Sequence, residues 1–318
     1  MDEHCKVSVV MSVFDKPDDV RKTINSVLSQ GGVDLEFIII NDGAEPSVVD
    51  VLQSFSDSRI KILHNLNQGL TKSLVDGCAY ASSENIARID AGDIMLKDRL
   101  KLQAEVLKHN NEVGLVTSYV EVVDVDGHFM YDITDDSEEL SQSILSINPS
   151  ELRTPSHVSV MFRKSVYFDV GGYRSEFYFA QDCDLWSRMV RVCKLYSIEE
   201  KLTRIVFSPS GISGRYHDIQ VSLKALVAVA NDARNNSYRD LSEGDILDRA
   251  KKLSNARHAL DKEAAQEIDA VYFVASILTK NKSPAARKYW IKFLKKRPWH
   301  FIGLVRFVIS VFNSKPTS

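Results

Sequence analysis

Short apolar runs alternate with amphipathic stretches through the first 125 residues of the chain. Residues 7–13 and 35–40 are mostly apolar and β-branched, which is typical of strands that are buried on both faces of a parallel sheet. Residues 18–30 instead space their apolar side chains three and four positions apart, and the glycine pair at 31–32 ends the pattern, so this segment predicts a helix. The chain is therefore expected to open with a strand–helix–strand unit.

The alternation continues toward residue 125. It predicts further helices at 46–55, 70–81 and 98–110 and further strands at 60–63, 85–89 and 114–125. Strands that alternate with helices indicate an α/β fold with a mostly parallel sheet and helices on both faces. Such sheets bind ligands at the carboxyl ends of their strands. Two acidic turns lie at these ends, at residues 41–43 (Asn-Asp-Gly) and 90–93 (Asp-Ala-Gly-Asp).

The remainder of the chain is less regular. Residues 126–127 (Asp-Gly) predict a hairpin turn, residues 158–162 resemble a strand, and residues 182–192 resemble a helix. From residue 220 onward the pattern is helical, notably over 222–233, 241–260 and 268–278. We therefore expect one domain over residues 1–218 and a helical C-terminal region over residues 219–318.

Charge divides the chain at about the same place. The 318 residues carry 40 Lys and Arg against 43 Asp and Glu, a net charge of −3. Residues 1–218 hold 22 basic and 34 acidic side chains, whereas residues 219–318 hold 18 basic and 9 acidic ones. The acidic first part argues against nucleic acid as a partner. The basic last part is expected to meet a different partner.

Cysteine usage and the N-terminus suggest a reducing compartment. None of the four cysteines forms a Cys-x-x-Cys pair, and their spacing fits no zinc site. The first residues lack a signal-peptide pattern, and the chain has no run of 18 apolar residues. These observations predict a cytoplasmic protein.

Carboxylates at three positions could carry chemistry, and each also has an ordinary structural explanation. Asp42 could end a strand in a turn, or accept a hydrogen bond from a base or ribose. Asp90 and Asp93 could cap the next helix, or bind Mg²⁺ or Mn²⁺ together with a substrate diphosphate. Asp182 could stabilise a helix N-terminus, or act as a general base.

A series of short stretches, each weak alone, occurs in an order that carries a family resemblance. They are VSVVMSVFD (7–15), SVLSQ (26–30), EFIIINDG (36–43), NQGL (67–70), IARIDAGD (86–93), HVSVMFR (157–163), VGGY (170–173), QDCDLW (181–186) and GRYH (214–217) followed by Val221-Ser222. Together they resemble a family 2 glycosyltransferase with a GT-A fold, of the bacterial polysaccharide or O-antigen type. The resemblance covers about residues 5–222.

The resemblance implies a donor site for a nucleotide sugar, with UDP-hexose or UDP-HexNAc as the expected donor. Ser12 and Phe14 would line the base, and Asp42 would hydrogen-bond its uracil-like edge. Lys72 would approach the phosphates, and Asp90 would contribute to nucleotide binding as well as to the metal.

It also implies a metal site and an inverting reaction. Asp90, Asp93 and His217 would hold Mn²⁺ or Mg²⁺, and Asp182 would be the catalytic base. The family's metal motif usually reads Asp-x-Asp-Asp, whereas Gly92 stands at its third position here. Its base motif usually reads Glu-Asp, whereas Gln181 precedes Asp182 here.

These two departures leave an alternative open, a nucleotide-sugar-binding protein with impaired catalysis. A Rossmann dehydrogenase is a poorer hypothesis, because Phe14-Asp-Lys-Pro17 follows the first strand instead of a glycine-rich turn.

The last part of the chain combines basic and apolar residues. Residues 285–297 (AARKYWIKFLKKR) mix aromatic with basic side chains, and residues 299–312 (WHFIGLVRFVISVF) carry a single charge. A packed helix pair with a solvated basic face would explain the pattern, and so would an anchor on an anionic membrane. We expect residues 285–312 to bind the inner face of the cell membrane. This location would suit an enzyme of surface polysaccharide synthesis with a lipid-linked saccharide acceptor.

Overall fold

A computed structural model describes residues 5–236, 243–255 and 260–312. Its first four strands form the parallel half of a nine-stranded sheet, in the order β3-β2-β1-β4. They are β1 (Lys6–Val13), β2 (Asp34–Asp42), β3 (Ile60–Asn65) and β4 (Asn85–Arg88). The connecting helices are α1 (Pro17–Leu28), α2 (Pro46–Gln53) and α3 (Leu70–Tyr80). The expected α/β architecture is confirmed here.

The second half of the sheet is mixed. Its strands are β5 (Ile94–Met95), β6 (Val113–Asp124), β7 (Phe129–Ile133), β8 (Met161–Arg163) and β9 (Lys194–Phe207). β8 runs antiparallel between β4 and β6, whereas β9 lies parallel to β6 and antiparallel to β5. The expected hairpin turn joins β6 to β7. Further helices in this half are α4 (Arg99–His109), α5 (Ser137–Ile144), α6 (Lys164–Asp169) and α7 (Gln181–Met189).

Several elements were not predicted from the sequence pattern, among them β5, α5 and α6, and the longest of them is β9. Its segment KLYSIEEKLTRIVF contains charged residues at several positions and lacks a clean two-residue alternation. Only its pairing with β6 makes it a strand. The strand expected at 158–162 is also shorter, because a single 3₁₀ turn occupies His157–Ser159.

Apolar side chains cover both faces of the parallel strands. On one face Val9 and Met11 of β1 pack with Val20 and Ile24 of α1. On the other face the next residue, Val10, packs in a second cluster that includes helices α3 and α7. Because successive side chains of a strand point to opposite faces, β1 contributes to both layers of the core.

The described part of the chain beyond β9 is mostly helical, as expected, although residues 241–242 and 256–259 of the helix predicted at 241–260 lie outside the described residues. Its helices are α8 (Ile212–Arg215), α9 (His217–Asn236), α10 (Glu243–Asn255), α11 (Leu260–Lys280), α12 (Ala286–Lys296) and α13 (Phe301–Phe312). Leu223 and Val227 of α9 pack against Phe177, close to the start of α7. Val274 of α11 and Trp290 of α12 pack against the β6–β7 hairpin.

Candidate active site

A cavity of about 520 Å³ opens at the carboxyl ends of β1 and β2 and beside the turn that follows β4. This is where a parallel sheet is expected to bind a ligand, and the volume is in the usual range for small-molecule sites. Its walls come from four segments. They are residues 12–16, residues 67–70 with Asp42, the turn at 90–93, and residues 205–216 with Tyr178.

Four of the five residues predicted to bind the nucleotide line this cavity, namely Ser12, Phe14, Asp42 and Asp90. Ser12 is half-buried at the end of β1, and Phe14 is 46% exposed, so an aromatic side chain is accessible to a planar base. Asp42 is buried, and its two carboxylate oxygens accept hydrogen bonds from the backbone N–H groups of Gln68 and Gly69, both at 2.8 Å. Asp42 therefore shapes one wall, and each of its oxygens keeps a further lone pair for a ligand.

The acidic turn after β4 is tied to α1 by one hydroxyl. Thr23 Oγ1 donates to the carbonyl of Asp93 at 2.8 Å and accepts from the N–H of Gly92 at 2.9 Å. Gly92 has φ of +108°, a backbone conformation that L side chains rarely adopt. The local conformation thus explains why glycine, and not aspartate, stands at this position.

Asp90 and Asp93 both line the cavity but differ in their surroundings. Asp90 is half-buried and pairs with the fully buried guanidinium of Arg88. Asp93 is buried, and its Oδ1 accepts from the N–H of Val206 at 2.9 Å. Burial and the neighbouring Asp90 charge raise the pKa of Asp93 to about 8.

This pair of carboxylates fits a hard divalent cation. The charge of Asp90 contributes to the raised pKa of Asp93, which indicates that the two carboxylates lie close together. Mg²⁺ and Mn²⁺ prefer oxygen ligands, and Mg²⁺ is commonly held by one or two carboxylates plus substrate phosphates. Asp90 and Asp93 supply ligands of that kind, with the remaining positions left for a diphosphate and water.

Asp182 occupies the first turn of α7, and its side chain is half-buried. Burial raises the pKa of Asp182 and the Asp90 charge adds to the rise, while the N–H groups of Cys183 and Asp182 and the charge of Arg88 oppose it. Asp182 does not line the cavity, yet it is near enough to Asp90 and Arg88 for their charges to act on it.

The preceding residue explains the second departure from the family pattern. The buried side-chain amide of Gln181, turned so that its nitrogen faces them, donates to the carbonyls of Phe177 and Tyr178. A glutamate could not donate in this way. Gln181 thereby fixes the loop that carries Tyr178 into the cavity wall.

Two further predicted residues lie outside the cavity lining, as Asp182 does. Lys72 is exposed on α3, and His217 is exposed at the start of α9. The lining itself contains two other cations, Lys16 and Arg215. The sequence signals for these were weak: Lys16 follows β1 directly, and Arg215 stands two residues before the histidine of the closing GRYH motif.

A second acidic cluster lies in the β6–β7 hairpin. Ligand atoms of Asp124, Asp126 and His128 lie within 4.8 Å of one another, the only such group of three found in the described part of the chain. Asp124 Oδ1 accepts from the N–H groups of Asp126 and His128, and Lys288 of α12 donates to Asp126 at 2.6 Å. The cluster is not part of the cavity lining.

A mixed α/β sheet, parallel over β1–β4, with an acidic cavity at its strand ends is consistent with the class of nucleotide-sugar transferases with a GT-A-type fold. The sequence profile of Glycosyl transferase family 2 matches residues 8–170, which is half of the chain. The chain belongs to this family, and the resemblance seen in the sequence is confirmed.

One relative and two solved structures are similar to this chain. An uncharacterized glycosyltransferase of Rickettsia bellii is 25% identical over 236 residues, 73% of this chain and 33% of the relative, so the chain spans about a third of that protein. The mannosyltransferase PcManGT from Pyrobaculum calidifontis, described in complex with GDP-Man and Mn²⁺, has a TM-score of 0.57 at 13% identity, over 98% of this chain and 88% of the other. S. aureus TarS 1–349 in complex with UDP has a TM-score of 0.54 at 13% identity, over 96% and 88%. The two structures show that the fold is shared.

None of the helices in the described ranges combines the length and the apolar character that crossing a membrane requires.

Proposed function

We propose that this chain is an inverting, metal-dependent glycosyltransferase that moves a hexose or N-acetylhexosamine from a UDP-sugar to a saccharide acceptor. The observation that carries the proposal is the cavity at the strand ends, where an exposed aromatic ring, two cations and two close carboxylates line one space. These are the groups that a base, a diphosphate and a divalent cation need. The UDP and GDP-Man complexes of the two similar folds support the class of donor.

In this mechanism the donor lies along the cavity. Phe14 and Ser12 contact the base, and Lys16 and Arg215 bind the diphosphate by charge. Asp90 and Asp93 would hold Mn²⁺ or Mg²⁺, which would supply positive charge to stabilise the diphosphate as a leaving group.

Asp182 would carry the proton step. The acceptor oxygen bonds to the anomeric carbon as the bond from that carbon to the phosphate oxygen breaks, and a carboxylate oxygen of Asp182 takes the hydroxyl proton. Attack opposite the leaving group inverts the anomeric centre. The raised pKa of Asp182 makes it a stronger base than an exposed aspartate.

The acceptor proposed is a lipid-linked saccharide of surface polysaccharide synthesis, used at the cytoplasmic face of the membrane. The division of the chain at residue 218 and the roles of Lys72 and His217 stay predictions. Lys72 and His217 are less well supported than Lys16 and Arg215, because their side chains lie outside the cavity lining.

Calorimetric titration of the full chain with UDP and with GDP, with and without Mn²⁺, tests the donor site. We expect UDP to bind in a metal-dependent way, and Asp90→Asn to remove the dependence. Asp126→Asn is the matched control, since it alters the hairpin cluster outside the cavity and should leave the titration unchanged. Failure of UDP, GDP, dTDP and CMP to bind under all conditions would overturn the proposal.

A further inference from the structure

The end of the described chain presents a basic strip followed by an exposed apolar helix. Residues 295–299 (Lys-Lys-Arg-Pro-Trp) are all exposed, and Trp299 is 92% exposed. In α13 most apolar side chains are exposed as well. They are Phe301, Ile302, Leu304, Val305, Val308, Ile309 and Val311. Residues 295–299 and these seven side chains are named the tail surface here. Contiguous apolar patches of this kind mark interaction sites.

The tail surface is held in place from beneath. Trp290 and Phe293 of α12 are buried against α11. Arg306 of α13 donates to Ser276 of α11 at 2.8 Å, and Arg287 of α12 donates to the carbonyl of Val311 at 2.7 Å. α12 and α13 therefore pack through their inner sides, as the helix pair suggested by the sequence would, and the outer side of α13 is exposed.

Helix α11 lies between the tail surface and the wall of the donor cavity and has ion pairs toward both. Glu267 of α11 lies 3.5 Å from Nε of Arg215, which lines the cavity, and 3.4 Å from Nζ of Lys292 on α12. Arg297, within the basic strip, lies 3.6 Å from Asp269 on the same helix. Helix α11 thus carries two carboxylates two residues apart, Glu267 beside the cavity wall and Asp269 beside the basic strip.

We propose that the tail surface docks on an anionic lipid surface and holds the mouth of the donor cavity beside the headgroup plane. The basic strip would meet the lipid phosphates, and Trp299 with the apolar side of α13 would enter the interfacial layer. Its link to the cavity rests on the proposed function, in which the acceptor is carried by a lipid.

Charge favours a membrane over a second copy of the chain. From residue 270 to the end the sequence has ten basic residues and no acidic one. A two-fold contact through this face would bring the same basic strip of both copies together, and like charges repel. An anionic membrane supplies the opposite charge and the apolar layer at once.

Flotation of the full chain with phosphatidylcholine vesicles, with and without phosphatidylglycerol, tests the docking. We expect binding only to the anionic vesicles and a loss of binding at high salt. The double variant Lys295→Glu/Lys296→Glu should lower partitioning at least about tenfold, since each basic residue near such a surface contributes about 1 kcal/mol. Ile302→Ser/Val305→Ser should also weaken it. Matched controls with the same changes elsewhere, Lys22→Glu/Lys108→Glu and Ile147→Ser/Val192→Ser, should bind as the unaltered chain does.

Three results would overturn the docking: no binding of the unaltered chain to anionic vesicles, equal losses in tail and control variants, or a dimer in sedimentation that Ile302→Ser/Val305→Ser dissociates. UDP titration of the same proteins separates the two proposals. Intact UDP binding without vesicle binding rejects only the docking, whereas vesicle binding without any nucleotide binding rejects only the donor site.

Discussion

The acidic turn at residues 90–93 and the acidic turn at residues 124–128 contain similar side chains at similar spacing, but they differ in what satisfies them. In the hairpin, Asp124 accepts hydrogen bonds from backbone N–H groups of its own turn, and Asp126 is paired with Lys288. In the cavity, burial and a like charge raise the pKa of Asp93. Proximity of carboxylates alone therefore does not make a binding site, and a buried carboxylate with a raised pKa beside an open cavity is the better indicator.

Helix α7 contains the same contrast two residues apart. Asp184 is fully buried and is surrounded by arginines, with Arg188 Nη2 at 2.7 Å, Arg174 Nε at 3.9 Å and Arg234 Nη2 at 3.9 Å. Asp182 has no such ion pair among the described contacts, and its pKa is raised. One aspartate stabilises the fold, and the other is available for chemistry.

The largest effect is expected from Asp182→Asn. Loss of the base should lower the rate of sugar transfer about 10²–10⁴-fold, and UDP binding should persist. Stability should not fall, because the ionised carboxylate is already disfavoured in the folded chain. Turnover and a UDP titration on one preparation check this; unchanged turnover would contradict the base assignment.

Asp184→Asn makes the same chemical change two positions along. It leaves a cluster of arginines without their common partner, so we expect a loss of about 3 kcal/mol in the free energy of unfolding. Denaturation in urea measures it. A loss below about 1 kcal/mol would show that the arginines are satisfied without Asp184.

The acid side of the activity profile should report Asp182. Because its pKa lies above the ordinary value of 3.8, the base is protonated, and kcat/KM falls, as the pH drops through that raised value. A profile that stays flat down to pH near 4 would contradict the assignment.

Gly92→Ala and Gly127→Ala compare the two turns directly. Both glycines have positive φ, +108° and +86°, and neither has a neighbour closer than 3.8 Å to an added Cβ. Each change should cost about 1–2 kcal/mol of stability through the backbone alone. Only Gly92→Ala should also weaken metal-dependent UDP binding. Equal binding by both variants would separate the turn at 90–93 from the donor site.

The smallest effect is expected from Asp126→Asn. The pair with Lys288 is exposed, and such pairs contribute about 0–1 kcal/mol. Thermal unfolding should change little, and a clear loss of Mn²⁺ binding would instead assign a metal site to the hairpin.

Much of the site could be anticipated because it is local. The turns that end β2 and β4 follow directly from strand patterns, so Asp42, Asp90 and Asp93 could be placed at one sheet edge before any coordinates. Lys16 and Arg215 could not be selected from among 40 basic residues, because a charge reaches a cavity only through the path of its loop. Lys72 and His217 lie outside the cavity lining for the same reason, because the fold, and not the local sequence, decides where their side chains lie.

By itself the sequence determined the α/β class, the parallel strands β1–β4, their connecting helices and the family, because apolar periodicity and short motifs are properties of neighbouring residues. Only the tertiary structure decided that β9 is a strand and that Arg88 pairs with Asp90. It also decided that the 124–128 cluster is satisfied by hydrogen bonds of its own turn and by Lys288, and that the outer side of α13 is exposed. Each of these depends on contacts between residues that are distant in the chain or on the hydrogen bonds and exposure of the folded turn, and local pattern carries no information about such contacts.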